Sequence, residues 1–435
     1  MRISGWGRYP VVDTRVDYPK TSSGLDDALR SINDGAIARG LGRSYGDSSL
    51  GGYVICTRWM DHMLTFDRET GILHCEAGVS LSEILEVFTP EGWFLPVTPG
   101  TRFVTVGGAI ASDVHGKNHH VAGCFCDHVE FIELALDAGK TIRCSPVENP
   151  ELFRATCGGM GLTGVIRSAA IRLKPVRSLF IDQTTFKSSN LRESMELFTL
   201  HEASPYSVAW IDCISGGESL GRSLLMTGDH APEGEPEKRG RKSRLEIPVD
   251  LPSALLNRHS IKAFNTLYYH RIRGRSVERR LHYEPFFYPL DSIGGWNRMY
   301  GANGFTQYQF VVPKEAGYPA MEAILKEIVA SGRGSFLAVL KAFGKQNANL
   351  LSFPVEGYTL ALDFRIEKEL FPLLDRLDAM VLGYGGRLYL TKDARMSAAT
   401  FRQSYPAWER FQAVREAHGA MGRFSSQQSK RLGLD

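Results

Sequence analysis

The sequence predicts an α+β protein of two domains, and three observations carry that prediction. The length of 435 residues exceeds the size at which a single hydrophobic core usually stops growing. Two glycine-rich turns, ARGLGRSYGDS at 38–48 and VTPGTRFVTVGGAIASDVHGKNHH at 97–120, each lie beside a short apolar run. After about residue 175, aromatic residues and alternating apolar patterns typical of antiparallel strands become more frequent.

Composition excludes several classes of protein. The chain is 43% hydrophobic and 23% charged, as in an ordinary soluble protein, and its net charge of +3 does not by itself imply nucleic acid. No segment approaches about 18 uninterrupted apolar residues, so no membrane-spanning helix is expected. The seven scattered cysteines fit a reducing compartment and a packing role, and we expect no metal site.

The first predicted elements surround the glycine-rich turns. GAIARGL and YVICTRW are predicted as short buried strands on either side of the first turn. ILHCEAGV predicts another strand, which runs into SLSEILEVF. The apolar spacing of SLSEILEVF is helical, and either Ser80 or Ser82 could cap that helix.

Three further segments complete the predicted first domain, residues 1–175. FIELALDAGKTIRCS predicts two strands joined at 137–139, and NPELFRAT predicts a helix capped by Asn149 with Pro150 in its first turn. GLTGVIRSAAIRLKPV predicts the last pair of strands.

The rest of the chain divides into a second domain, 176–385, and a helical C-terminal segment, 386–435. SVAWIDCIS and TQYQFVV predict strands of the second domain. Its one compositional anomaly, EGEPEKRGRKSRLEIP at 233–248, is charged and poor in apolar residues, which predicts a mobile basic loop.

The two glycine-rich turns indicate an extended cofactor that carries phosphate. Glycine lets backbone N–H groups approach a ligand closely, and consecutive N–H groups form a nest for anionic oxygens. Neither turn is GxxxxGK[ST], and neither is a GxGxxG with an acidic residue about 20 positions later. The pattern therefore favours a flavin in a cradle that is not of the Rossmann type.

The turns resemble those of flavoproteins of the vanillyl-alcohol-oxidase type, which bind FAD between two α+β subdomains. A closer resemblance, to the decaprenylphosphoryl-β-D-ribose 2′-oxidase family, runs along almost the whole chain. Seven ordered blocks carry it: ARGLGRSYGD, PGTRFVTVGGAIASDVHGKNHH, GGMGLTGVI, YPLDSIGGWNRMYG, FTQYQFVVP, SFLAVLKAFG and GGRLYLTKDAR. The resemblance implies a two-subdomain FAD-binding fold with an inserted substrate domain built on an antiparallel sheet. After that insertion, the C-terminal segment rejoins the FAD domain.

The resemblance also implies which residues contact FAD. They are Arg39, Gly40, Leu41, Gly42, Arg43, Ser44, Tyr45, Gly46, Asp47, Gly100, Thr105, Val106, Gly107, Gly108, Ser112, Asp113, Val114, His115, Ile166 and Tyr389. Some members of the superfamily attach FAD through a histidine in the first turn. Arg43 stands at that place here and cannot form the bond, so we expect FAD to be held non-covalently.

A second set of residues is implied for substrate and chemistry. The substrate-binding positions are Lys117, Trp210, Gln307, Gln309, Val339, Lys341, Phe343 and Lys392, and the catalytic candidates are Lys392, Tyr45 and His115. Any of these three candidates could assist removal of the hydroxyl proton, and the sequence does not rank them. A strand through FTQYQF places both glutamines on one face, which suits sugar hydroxyls. His119 and His120 are as readily structural as functional.

The implied activity is oxidation of the ribose 2′-hydroxyl of a polyprenyl-phosphoryl sugar to the 2′-keto sugar. A separate NAD(P)H-dependent short-chain ketoreductase would complete epimerisation to an arabinose donor for cell-wall glycan. The basic stretch KRGRKSR and the Leu/aromatic/Arg segment after it suggest peripheral contact with an anionic membrane, on the cytoplasmic face or the periplasmic one. RNA binding lacks any recognisable module, and no nucleic-acid partner is expected.

Two alternatives remain from the sequence. One keeps FAD but oxidises a soluble alditol or aldonolactone with oxygen, and the other is a flavin-bearing scaffold without turnover. The presumed pocket also departs from the mycobacterial pattern at Thr359 and Ala361 and in Phe287-Tyr288-Pro289, which leaves the exact lipid and sugar open.

Overall fold

The computed structural model describes residues 1–233, 245–250 and 257–435. The strands are β1 (Arg2–Ser4), β2 (Val11–Asp13), β3 (Arg15–Asp17), β4 (Ile37–Arg39), β5 (Tyr53–Cys56), β6 (Met63–Asp67), β7 (Ile72–Glu76), β8 (Trp93–Phe94), β9 (Val129–Asp137), β10 (Lys140–Cys144), β11 (Val165–Arg172), β12 (Lys174–Pro175), β13 (Phe180–Ser188), β14 (Tyr206–Ile211), β15 (Ser223–His230), β16 (Leu245–Glu246), β17 (Ser276–His282), β18 (Ile293–Gly294), β19 (Phe305–Pro313), β20 (Ala338–Phe343), β21 (Gly357–Arg365) and β22 (Arg387–Leu388). The α-helices are α1 (Ser22–Arg30), α2 (Leu81–Phe88), α3 (Val106–Ala111), α4 (His119–Ala122), α5 (Pro150–Thr156), α6 (Leu191–Leu200), α7 (Arg258–His270), α8 (Tyr283–Phe287), α9 (Gly317–Ser331), α10 (Leu370–Gly383), α11 (Ala398–Ser404), α12 (Trp408–Ala417) and α13 (Gln427–Leu432). The predicted α+β class is confirmed.

The N-terminal part of the chain contains two larger sheets besides the two-stranded pairs β1-β2 and β12-β8. A parallel sheet has the order β3-β5-β4, and an antiparallel sheet has the order β10-β9-β11-β7-β6. The first glycine-rich turn directly follows β4, and the second leads into α3, as the flanking apolar runs predict. The turns are thereby fixed to buried strands, which is what positions a binding loop.

Local signals at two helix starts had different outcomes. Ser80 caps α2 in a capping box with Glu83, so Ser80, rather than Ser82, is the cap. Asn149 stands at the N-cap position of α5 with Pro150 in the first turn, as predicted, but its backbone is left-handed, with φ 48°, and its side chain makes no cap hydrogen bond. Its amide nitrogen instead donates to the Arg143 carbonyl oxygen at 2.8 Å, which holds α5 against the preceding hairpin.

The second part of the chain forms an antiparallel sheet of eight strands in the order β17-β13-β15-β14-β20-β21-β19-β22. Helices α6, α9 and α10 pack against it and bury apolar residues such as Leu325 and Leu377. Its last strand, β22, lies just beyond the predicted boundary at 385. The domain boundaries therefore stay predictions, and most of the predicted loop at 233–248, namely 234–244 with its KRGRKSR stretch, lies outside the described residues.

The C-terminal segment returns to the N-terminal part of the chain. Arg431 forms an ion pair with the buried Asp47 at 2.7 Å. The buried guanidinium of Arg415 donates to the Leu162 carbonyl oxygen at 3.1 Å and pairs with Asp435. These contacts join the tail to the strands and turn of the first 175 residues. Among the described residues, no helix combines the length and apolarity needed to cross a bilayer.

Candidate functional site

One cavity connects the glycine-rich turns to the eight-stranded sheet. Its volume is about 680 Å³, within the roughly 300–1,000 Å³ typical of ligand pockets. Residues 39–45 and 98–101 line one side, and side chains of β14, β19, β20 and β21 line the other. An extended ligand can therefore reach from the turns to the sheet.

The first turn presents a row of backbone donors. Among the described residues, none accepts a hydrogen bond from the N–H groups of residues 41–44, whereas the next N–H, that of Tyr45, donates to Thr391 O at 3.1 Å. Gly42 has φ 65°, the left-handed conformation that glycine adopts without strain. Consecutive free N–H groups bind anionic oxygens, so the turn fits the pyrophosphate of a dinucleotide.

The two turns touch each other at Gly40. A Cβ atom on Gly40 would lie 2.2 Å from Thr105 Oγ1, so only glycine leaves room there. The Thr105 hydroxyl in turn accepts from Gly108 N at 3.1 Å and caps α3. The second turn is therefore held directly against the first.

Sequence reasoning missed Trp6, which lies in the cavity wall beside the first turn. The guanidinium carbon of Arg43 is 4.0 Å from the centroid of the Trp6 ring. Cβ atoms on Gly5 and Gly7 would lie 2.5 Å and 2.3 Å from backbone oxygens. The glycines around Trp6 in SGWGRYP are the signal that the segment packs closely against another one.

Three lysines line the cavity: Lys117, Lys341 and Lys392. Burial lowers their pKa values to about 7, about 8 and about 7 respectively. Within the described part of the chain, none of them has a carboxylate within ion-pair distance. Such a group of amines suits an anionic ligand, which would favour the charged form of the lysines that it contacts directly.

Lys392 and Tyr45 meet at the junction of the two cavity walls. Lys392 Nζ lies 4.0 Å from the centroid of the Tyr45 ring, and the pKa of Tyr45 is raised well above its ordinary value by burial. The phenol therefore keeps its proton, while the lysine can exist as a free amine near pH 7. Two of the three catalytic candidates are thus brought together, and at neutral pH only Lys392 has an appreciable unprotonated fraction that can accept a proton.

Gln307 and Gln309 both line the cavity, as alternation along β19 predicts. Gln307 Nε2 donates to Asp363 Oδ1 at 2.6 Å, and Tyr300 donates to the other oxygen at 3.0 Å. Burial raises the pKa of Asp363 to about 7. Asp363 was not predicted from the sequence, because only the pairing of β19 with β21 places it opposite Gln307.

His115 borders the cavity and is neutral. Burial lowers its pKa well below the ordinary value, and the charges of Lys341, His119 and Lys392 lower it further. Its Nε2 lies 3.1 Å from Gln309 Nε2, and its ring packs against Phe343, 4.7 Å between centroids.

Most of the predicted site residues line the cavity, and five do not. Val106 is in the hydrophobic core, Gly46 packs on the Asp393 carbonyl, and Asp47 pairs with Arg431. The Asp113 carboxylate accepts hydrogen bonds from Asn347, Asn349, Ser352 and the backbone of Cys126. Phe343 packs behind His115 instead of facing the cavity. These five residues position the site without lining it.

The other two histidines of HGKNHH have protein partners. His119 Nδ1 accepts from Gly344 N at 3.1 Å, and His120 Nε2 lies 2.8 Å from Ser204 O. In the part of the chain that the structure describes, no group of three or more acidic, histidine or cysteine side chains could hold a metal ion. All seven cysteines are buried and unpaired.

The departures from the mycobacterial pattern lie in two layers. Phe287, Pro289 and Ala361 line the cavity, so they shape what it can hold. Tyr288 and Thr359 lie behind it: the Tyr288 hydroxyl is 2.7 Å from Thr98 Oγ1, and Thr359 contacts Gln309.

Comparison with known proteins agrees with this geometry. The model of the FAD binding domain family matches residues 14–145. The chain is 38% identical over 450 residues to decaprenylphosphoryl-beta-D-ribose oxidase of Mycolicibacterium smegmatis, with coverage of 100% of this chain and 97% of that protein. It is 31% identical over 372 residues to an uncharacterized protein of Streptomyces coelicolor, covering 82% of this chain and 100% of that one. Human Delta(24)-sterol reductase is 29% identical over 176 residues, which are 40% of this chain and 33% of the reductase.

Proposed function

The chain belongs to the decaprenylphosphoryl-β-D-ribose oxidase family, and from that membership we propose that it oxidises the ribose 2′-hydroxyl of a polyprenyl-phosphoryl-β-D-ribose. It is an FAD-dependent oxidoreductase. The observation that supports the substrate is the cavity itself, in which an anion nest faces a sheet wall bearing Lys341, Gln307 and Gln309. We propose that the eight-stranded sheet is the core of an inserted substrate domain.

The residues present fit the cofactor. The free N–H groups of 41–44 would hold the pyrophosphate, and no histidine stands in that turn to form a covalent link. FAD bound there would supply the acceptor for the hydride that leaves the ribose C2′ carbon. Gln307 and Gln309 offer amide carbonyl oxygens to sugar hydroxyls, and Lys117 and Lys341 offer positive charge to the phosphate.

The three candidates for the hydroxyl proton can now be ranked. Burial keeps the phenol of Tyr45 protonated, so it cannot accept a proton. His115 Nε2 already faces an amide nitrogen. Lys392, with a pKa of about 7, is the group that can be an unprotonated amine at neutral pH. We assign the proton acceptor to Lys392.

The chemistry of the product indicates which reaction must follow this one. A 2′-keto sugar becomes the arabinose epimer only after reduction from the opposite face, so a NAD(P)H-dependent ketoreductase must follow. The lipid-linked arabinose is then a donor for cell-wall glycan.

Anaerobic mixing of the yellow protein with a short-chain polyprenyl-phosphoryl ribose tests the proposal. Stoichiometric bleaching of the flavin band is expected, with none from free ribose. Bleaching by an alditol or aldonolactone, without bleaching by the lipid-linked sugar, would contradict the assigned substrate and support a soluble-polyol oxidase.

We also propose that helix α7 rests on an anionic membrane. Phe264 and Leu267 are 44% and 75% exposed on its outer side, while Ile261 and Tyr269 are buried beneath. Residues 258–282 contain seven Lys or Arg and one Glu. Arg271, just after the helix, and Arg279, on β17, line the cavity. A lipid-linked substrate could therefore enter from the bilayer without leaving it.

Loss of the apolar side chains should weaken membrane contact. Phe264→Ser/Leu267→Ser is expected to reduce co-sedimentation with phosphatidylserine vesicles several-fold. Burial of a leucine or phenylalanine side chain in the bilayer interface contributes a favourable free energy of up to roughly 2 kcal/mol, which the serine variants lose. Leu200→Ser on α6, where Leu200 is 74% exposed, is the matched control. Equal loss in both proteins would count against α7 as the contact surface.

A further inference from the structure

A chain of hydrogen bonds behind the cavity begins at Thr359 on β21. The side chain is fully buried, and Oγ1 lies 2.8 Å from the Phe310 carbonyl oxygen, to which the hydroxyl donates its only proton. Oγ1 also lies 3.3 Å from Gln309 Nε2. Because the hydroxyl proton is already used, Thr359 can only accept from Gln309.

The orientation of the Gln309 amide follows from that contact. Its nitrogen, rather than its oxygen, faces Thr359, and the same nitrogen lies 3.1 Å from His115 Nε2. An amide nitrogen only donates, so His115 Nε2 must be the acceptor. In a neutral imidazole the proton is then on Nδ1.

His115 Nδ1 is buried and has no hydrogen-bond partner among the described residues. The residue is 6% exposed, and its ring borders the cavity. A buried N–H group without an acceptor is rare in native proteins. An acceptor oxygen on a molecule that occupies the cavity would complete this hydrogen bond.

We propose that Thr359 is a positioning residue that locks the Gln309 amide and, through it, the Nδ1–H tautomer of His115. His115 then presents a hydrogen-bond donor to an acceptor oxygen of the bound ligand. That oxygen belongs either to the sugar phosphate or to a carbonyl of the cofactor. The choice of ligand rests on the proposed function, whereas the tautomer does not.

The tautomer is tested in the holoenzyme by ¹⁵N NMR of labelled imidazoles, with His115→Gln to assign the signal. Wild type and Thr359→Ser are expected to show protonated Nδ1 and unprotonated Nε2. Thr359→Val, which replaces the hydroxyl by a methyl group, should show a mixture of tautomers. Thr306→Val, at a buried threonine elsewhere on β19, is the control and should resemble wild type.

Two results would overturn the proposal: a protonated Nε2 in wild type, or an unchanged tautomer in Thr359→Val. The kinetic and binding measurements then identify the source of the oxygen. A KM raised about tenfold with kcat nearly constant in Thr359→Val, the size of one lost hydrogen bond, indicates the sugar phosphate. An unchanged KM with about tenfold weaker FAD binding indicates the cofactor. Failure of substrate bleaching with the tautomer intact would refute the proposed function alone.

Discussion

Lys392→Met is expected to lower kcat/KM by roughly 10²–10⁴-fold while the protein still binds FAD, because a positioned proton acceptor contributes about that much. Lys392 is partly buried at the junction of the cavity walls, and burial brings its pKa to about 7. Lys392→Arg separates charge from proton transfer, since arginine stays protonated at any working pH. The measurement is anaerobic flavin reduction by the lipid-linked ribose.

The control is Lys345→Met, at an exposed lysine outside the cavity. It should reduce flavin at the wild-type rate. If Lys392→Arg were nearly as active as wild type, the lysine would serve to hold the anionic substrate, and its role as proton acceptor would be refuted.

The pH dependence follows with a definite sign. Below pH 7 the Lys392 amine is protonated and cannot accept a proton, so the rate of reduction should rise as pH increases through about 7. The negative charge of Asp363 raises the pKa of Lys392, so Asp363→Asn should move the rise in reduction rate to lower pH. A profile that is flat from roughly one pH unit below to one unit above the Lys392 pKa of about 7 would contradict the assignment.

Substrate affinity should fall above about pH 8, as Lys341 loses its charge.

Patterns local in sequence predicted where the first glycine-rich turn and the two glutamines lie. Glycine spacing and flanking apolar runs placed the turn after β4, and alternation in FTQYQF placed both glutamines on one face. Local patterns could not show which way a side chain turns. Asp113 lies in the second glycine-rich turn, but its carboxylate does not line the cavity. It accepts hydrogen bonds from Asn347 and Asn349, which are more than 200 residues away in the sequence.

The same limit explains why the roles of Asp363 and Thr359 could not be predicted from the sequence. Each lies in the plain strand sequence GYTLALDF, where nothing distinguishes it from a core-facing polar residue. Their roles arise from the register of β21 against β19, which sets Asp363 opposite Gln307 and Thr359 opposite Val311, two residues along from Gln309. Strand register is a tertiary property, fixed by turns and packing over the whole sheet.

Gly40→Ala is expected to give a protein with little bound flavin, although glycine has no side chain that could contact the cofactor. Its backbone φ is not in the left-handed region, so the cause is space: the new Cβ would lie 2.2 Å from Thr105 Oγ1 and 2.9 Å from its Cγ2. Relieving that overlap must separate the two turns, at a cost of about 1–3 kcal/mol. The separation should disturb the donors of 41–44 and weaken FAD binding roughly 10–100-fold by the tenfold per 1.4 kcal/mol relation.

Comparison of variants distinguishes this overlap from general instability. Gly52→Ala is the control, because no atom lies within 4 Å of a Cβ there. Adding Thr105→Ala to Gly40→Ala removes both close atoms and leaves Cβ at 3.1 Å. The double variant should regain flavin, even though loss of the Thr105 cap costs about 1 kcal/mol on its own. The measurement is the flavin-to-protein absorbance ratio after titration with FAD. If the double variant bound FAD more weakly than either single one, contact between the turns would not be what holds the nest in shape.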